Sequence, residues 1–263
     1  YIDILKSLCA DVASTYESCI PSLPDLITHF GSRKAPKPQV ITEIFAVLKF
    51  NNFSQAEDDL IAIYNHYNIW MWHILLLFTA ARPVAEFPGF LKNFNLKRQI
   101  LMVSDKETGG RNGFGRLIPL CSFLVEEIKK FLKFLEYFSI QIMMSHPALN
   151  GVIQQIEASK LPFLGIIQDD EWKPLSPSTV KNFHPELGLD HANWHRHTAR
   201  AFLTHKITEP EILALFGHEL MQQEAAHPFS SLSLSQFSKI ANVLEQMKDQ
   251  FKISGIEVHV IIQ

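Results

Sequence analysis

The stretch from Ile69 to Ala81 constrains this chain more than any other. It is apolar, interrupted by Trp72-His73, and stops at Arg82. It is too short to span a bilayer, so it reads as a helix buried inside a globular core. Other segments must then cover it. Val40–Leu48 and Ser54–Tyr67 carry amphipathic helical spacing, and Ser54 followed by Glu57 forms a capping box at the start of the second. Over Ser122–Phe138, the residues Phe123, Leu124, Ile128, Phe131, Leu132 and Leu135 recur at helical intervals. Further helices are expected at Ser178–Phe183, Asn193–His205, Glu209–Phe216 and Ser235–Phe251. The 20 phenylalanines suggest aromatic wedges between them.

Two stretches break the helical pattern. Gln99–Val103 and Arg116–Leu120 are short and β-prone, and they flank a loop holding Gly109, Gly110, Gly113 and Gly115, which reads as a hairpin. A weaker strand pair surrounds Asp169-Asp170, between Phe163 and Trp172, and Gly255–Ile262 is a strand-like tail. The expected fold is mainly α with a small antiparallel β-sheet, an α+β domain. Residues 1–30 read as helix broken by Pro21 and Pro24, and the basic, proline-rich run Ser32–Pro38 reads as a linker. The expected division is therefore 1–37 and 38–263. Because the chain opens at Tyr1 without a secretory signal, it reads as a fragment lacking an N-terminal part.

The three cysteines, Cys9, Cys19 and Cys121, fit no metal or disulfide framework, so a reducing cytosol is expected. The net charge of −3 speaks against nucleic acid only if charge is evenly spread. It is not. From Lys92 to Arg116 the chain has Lys92, Lys97, Arg98, Lys106, Arg111 and Arg116 against Asp105 and Glu107, a local excess of four cations. A solvated hairpin explains that excess as well as a phosphate-binding one does.

The chemistry concentrates in Asn193-Trp194-His195-Arg196-His197-Thr198-Ala199-Arg200. At about 100° per residue, Asn193, Arg196, His197 and Arg200 share one helix face, with Trp194, Thr198, Phe202 and Leu203 on the remainder. Such a face suits a polyanion, although a surface helix with a polar stripe has the same pattern. Phe216-Gly217-His218 reads as a helix end with a left-handed glycine cap from which a histidine emerges. Histidines at 191, 195, 197, 218 and 227 also admit a metal site, but no accompanying carboxylate set or cysteine pair favours one, and Arg196 would repel a cation.

Together these motifs resemble the tyrosine recombinases, the phage integrase family, over roughly residues 38–240. Thr79-Ala80-Ala81-Arg82-Pro83 resembles the first arginine box. Asp105-Lys106 with Arg116-Leu117-Ile118-Pro119-Leu120 resembles the hairpin lysine and the strand after it. Asn193 to His197 resembles the His-x-x-Arg box, and Leu215-Phe216-Gly217-His218 the Leu-Gly-His that follows. The resemblance implies a metal-free and cofactor-free enzyme of strand cleavage and rejoining through a 3′-phosphotyrosyl link. In it Arg82 and Arg196 brace the phosphate, Lys106 protonates the departing 5′ oxygen, and His218 and Asn193 assist. It also implies contacts to double-stranded DNA from Lys97, Arg98, Arg111, Arg116, His197 and Arg200. A dimer or tetramer on a specific site, a role in integration or transposition of a mobile element, and a bacterial, nucleoid-associated cytoplasmic location follow from the same resemblance.

Two departures stand out. Asn193 replaces the usual histidine, and cannot shuttle a proton near neutral pH. The five tyrosines, Tyr1, Tyr16, Tyr64, Tyr67 and Tyr137, all precede the second box, so the nucleophile is missing. Phe229 is the favoured occupant of its position, with His227 the other option. As written, the chain is expected to bind DNA without cutting it, either as an inactivated recombinase or as a relative that lost catalysis naturally and acts as an architectural or regulatory factor.

Overall fold

A computed structural model describes residues 36–53, 59–103, 116–183, 193–217 and 233–256, all within the larger of two units, Pro36–Gln263. These residues are mainly helical with small antiparallel sheets.

Helix α1 (Pro38–Phe53) packs on α2 (Leu60–Thr79), around which the unit is built. In α2 every side chain from Tyr67 to Thr79 is buried. The two helices expected over 54–67 and 69–81 are thus one. No breaker divides them, because Asn68 turns its amide onto the Tyr64 carbonyl at 2.8 Å and stays helical. The start also differs. Asp59 caps α2, its carboxylate accepting from the amides of Ile61 and Ala62, while the Ser54 capping box lies outside the described residues. Among the described residues no helix is long and apolar enough to cross a membrane.

Helix α3 (Ser122–Ile142) lays its aromatic stripe on α2: Tyr64 stacks on Phe138 at 4.6 Å, and Tyr67 meets Phe131 edge-on at 4.9 Å. Helix α4 (Pro147–Glu157) was not anticipated from the sequence. It buries Leu149, Ile153 and Ile156, and its Asn150 Oδ1 accepts from Ser139 of α3 at 2.6 Å.

The first sheet has the order β1 (Phe94–Asn95), β2 (Ile100–Val103), β3 (Arg116–Pro119), all antiparallel. The expected hairpin is β2–β3, with Val103 opposite Arg116. Strand β1 is additional. The second pair, β4 (Gly165–Gln168) and β5 (Glu171–Pro174), turns at Asp169 and Asp170, whose φ values are 53° and 58°. Asn65 of α2 both accepts from the Ile167 amide and donates to its carbonyl, at 2.7 Å each, and Asn68 accepts from the Gly165 amide.

Four more helices complete the described part: α5 (Pro177–Phe183), α6 (Trp194–Leu203), α7 (Glu209–Phe216) and α8 (Leu234–Gln250). Beyond α8 the chain crosses back over α1 and α3. Thr42 donates to the Phe251 carbonyl, Lys49 to the Ser254 hydroxyl, and the Ile256 amide to Glu127. Gly255 lies against the Glu127 carboxylate so closely that no Cβ fits. Of the expected strand-like tail, Gly255 and Ile256 are in no strand, and the rest lies outside the described residues.

Candidate functional site

Arg196 is the meeting point of the motifs. It sits one turn into α6 and is only 7% exposed. Its Nη1 donates to the Ala80 carbonyl at 2.6 Å, and its Nη2 to the Phe216 carbonyl at 2.5 Å. Ala80 is the left-handed residue, φ 51°, that ends α2. Phe216 is the last residue of α7, closed by Gly217 at φ 62°. One guanidinium therefore holds the ends of two helices. Their terminal carbonyls are orphaned acceptors at the negative dipole end, and the planar fork offers each of them its own donor nitrogen in a fixed geometry. The guanidinium also lies 4.5 Å from the centroid of the Phe216 ring, with Arg200 at 5.9 Å.

Arg82 follows Ala80 by two residues, which bounds its backbone to within about 7.6 Å of that carbonyl-bearing residue. It is half-buried. The turn after it is fixed by the Glu86 amide, which donates to Leu175 at 3.1 Å, while the Glu86 side chain is exposed.

Arg116 departs from the expected surface DNA contact. It is 4% exposed, and its Nε donates to the Leu215 carbonyl at 3.1 Å. Its guanidinium lies against Gly217, where a Cβ would come within 3.0 Å of Nη1. The pull of an unsatisfied helix-end carbonyl turns this side chain inward. Strand β3, α6 and the end of α2 thus converge on the final turn of α7.

The expected polar face of α6 is only partly so. Asn193 is exposed and His197 and Arg200 are half-buried, but Arg196 turns into the interior. Arg200 forms an ion pair with Glu209, both side chains remaining substantially exposed. Lys97 and Arg98 are exposed in the turn between β1 and β2, where the Arg98 amide donates to Asn95. Lys106, Arg111, His218, Phe229 and the alternative His227 lie outside the described residues.

One pairing was not foreseen. His73 Nδ1 of α2 and His195 Nε2 of α6 are 2.8 Å apart, each residue 1% exposed. The only signal in the sequence was the interruption of the apolar run at Trp72-His73. Edge-on contact of Trp72 with His195 and stacking of Trp194 on His195 enclose the pair. Among the described residues no three His, Cys, Asp or Glu side chains form a metal-binding group. No family model matches the chain, and neither a curated protein nor a solved structure does.

Proposed function

We propose that this chain is a DNA-binding domain of the tyrosine-recombinase kind that binds a duplex and does not cleave it. The observation carrying the reading is the Arg196 bridge, which joins the end of the first arginine box at Ala80 to the Phe216-Gly217 turn. Three motifs separated in sequence meet there, in the order the resemblance requires. On the resemblance a phosphodiester would be braced by Arg82, which is half-buried two residues beyond Ala80, while Lys106 and His218 lie outside the described residues. Cleavage would need a hydroxyl to attack phosphorus while the 5′ oxygen leaves with a proton, and Phe229 has no hydroxyl to offer.

Binding is tested by gel shift over a salt series, since contacts to phosphate weaken steeply as salt rises. Salt-insensitive or absent binding rejects the reading. Restoring a nucleophile by Phe229→Tyr and incubating with a nicked suicide duplex of the cognate site is expected to give a covalent adduct. Phenylalanine at 229, where the resemblance puts the nucleophile, supports a second reading, a naturally non-cleaving architectural or regulatory factor. For that factor, Phe229→Tyr yields no adduct although the duplex is bound.

A further inference from the structure

Two buried arginines from different elements grip consecutive carbonyls of one helix end. Arg196 of α6 takes Phe216, and Arg116 of β3 takes Leu215. Arg116 is itself fixed by strand pairing, opposite Val103 in the β2–β3 ladder. Its guanidinium also lies over Gly217, a residue whose φ of 62° suits glycine and where a Cβ would sit tightly, 3.0 Å from Nη1. The hairpin and α6 therefore share a single anchor, the last turn of α7. Moving that turn moves the acceptor that aims Arg196.

We infer that Arg116 is a positioning residue: through Leu215 and Gly217 it fixes the end of α7, on which Arg196 is also seated, and so pre-organises the hairpin and α6 for duplex binding without itself holding a phosphate. This rests on the DNA-binding reading above. Burial at 4% exposure separates Arg116 from Lys97 and Arg98, the exposed cations of the neighbouring turn. Geometry distinguishes it from a generic cation as well. Bonding Leu215 through Nε while the rest of the fork covers Gly217 requires a planar, branched group, which a lysine ammonium cannot imitate.

The test uses the full chain and a fluorescent mixed-sequence DNA duplex, with affinity measured across a salt series for the parent, Arg116→Gln, Arg116→Lys and Arg98→Ala. Arg98→Ala is expected to lower the slope of log affinity against log salt by about one, as loss of one phosphate contact does. Arg116→Gln is expected to weaken binding about tenfold, equivalent to about 1.4 kcal/mol, with the slope unchanged. Arg116→Lys is expected to remain nearly as weak. A slope change for Arg116→Gln matching that of Arg98→Ala overturns the inference, because it would make Arg116 a phosphate contact. Near-parental affinity of Arg116→Lys overturns it too, and decides the matter if the glutamine variant fails to fold. A parent that binds no duplex at any salt rejects the DNA-binding reading and this inference with it, a result distinct from either variant outcome.

Discussion

His73 and His195 face each other across the α2–α6 contact, ring nitrogen to ring nitrogen at 2.8 Å, with almost no exposure to solvent. One ring must donate and the other accept, so the tautomers of the two are linked. Replacing one alone strands a buried polar nitrogen. His73→Leu is expected to cost about 1–3 kcal/mol. His73→Leu with His195→Leu is expected to cost less than the sum of the two single changes. A double-mutant cycle by urea denaturation measures the difference, and strict additivity would show that the contact carries no coupling.

Arg196→Lys is expected to destabilise the fold, because one ammonium nitrogen replaces the two fixed donor nitrogens that hold Ala80 and Phe216. Losing one charge-assisted hydrogen bond costs about 1.5–3 kcal/mol, read as a lower denaturation midpoint at unchanged m-value. On the DNA-binding reading, affinity for a duplex should fall with it.

Alkali should unfold the protein stepwise. Burial pushes the Cys121 thiol up to about 12 from its ordinary 9.0, and burial holds the Tyr64 and Tyr67 phenols well above their ordinary 10.0. Each folded-state pKa is raised, so the stability each group contributes is complete below its unfolded value and is lost as pH climbs above it. Stability is therefore expected to decline from about pH 9 and more steeply from about pH 10. Cys121→Ala should remove the first part of that decline, as followed by urea midpoints across the alkaline range. An unchanged onset would refute the assignment to Cys121.

Gly255→Ala should destabilise through contact with Glu127, whose carboxylate occupies the space a Cβ needs. Overpacking of this kind costs about 1–3 kcal/mol. Glu127→Gln retains an acceptor for the Ile256 amide and should cost less, though it gives up the ion pair with Lys130. Denaturation of both variants gives the ranking, and a Gly255→Ala protein as stable as its parent would show that the segment after α8 shifts freely.

On the DNA-binding reading, the exposed cations of the β1–β2 turn account for part of the salt dependence. Lys97→Ala with Arg98→Ala is expected to lower the salt slope by about two, one for each exposed cation. A slope within error of the parent's would place the duplex elsewhere.

The long elements could be read from the sequence because their signals are local. The apolar run ending at Arg82, the aromatic stripe of α3 and the Gly217 cap each declare a helix or its end within a few residues. Helix α4 was missed despite Leu149, Ile153 and Ile156 at helical spacing, because the turn-prone dipeptide Asn150-Gly151 interrupts it. The separate helices expected on either side of Asn68 merged because a side-chain amide folded back on its own helix. For the candidate site the sequence could nominate residues but not aim them. Arg196 and Arg116 were expected to face a polyanion, and both turn inward to helix-end carbonyls. The partners of Arg196 are 116 and 20 residues away, and that of Arg116 is 99 away, so periodicity had no means of finding them.

The amide of Asn65 has one more consequence. By accepting from the Ile167 nitrogen and donating to the Ile167 oxygen, it does at that position what a neighbouring chain would do. Asn68 repeats half of this two residues along, at Gly165. An isolated two-stranded ribbon is ordinarily a template on which another molecule can extend. Here α2 blocks that growth with two side chains, so the outer rim of β4 offers little for intermolecular pairing or amyloid-like stacking to start from.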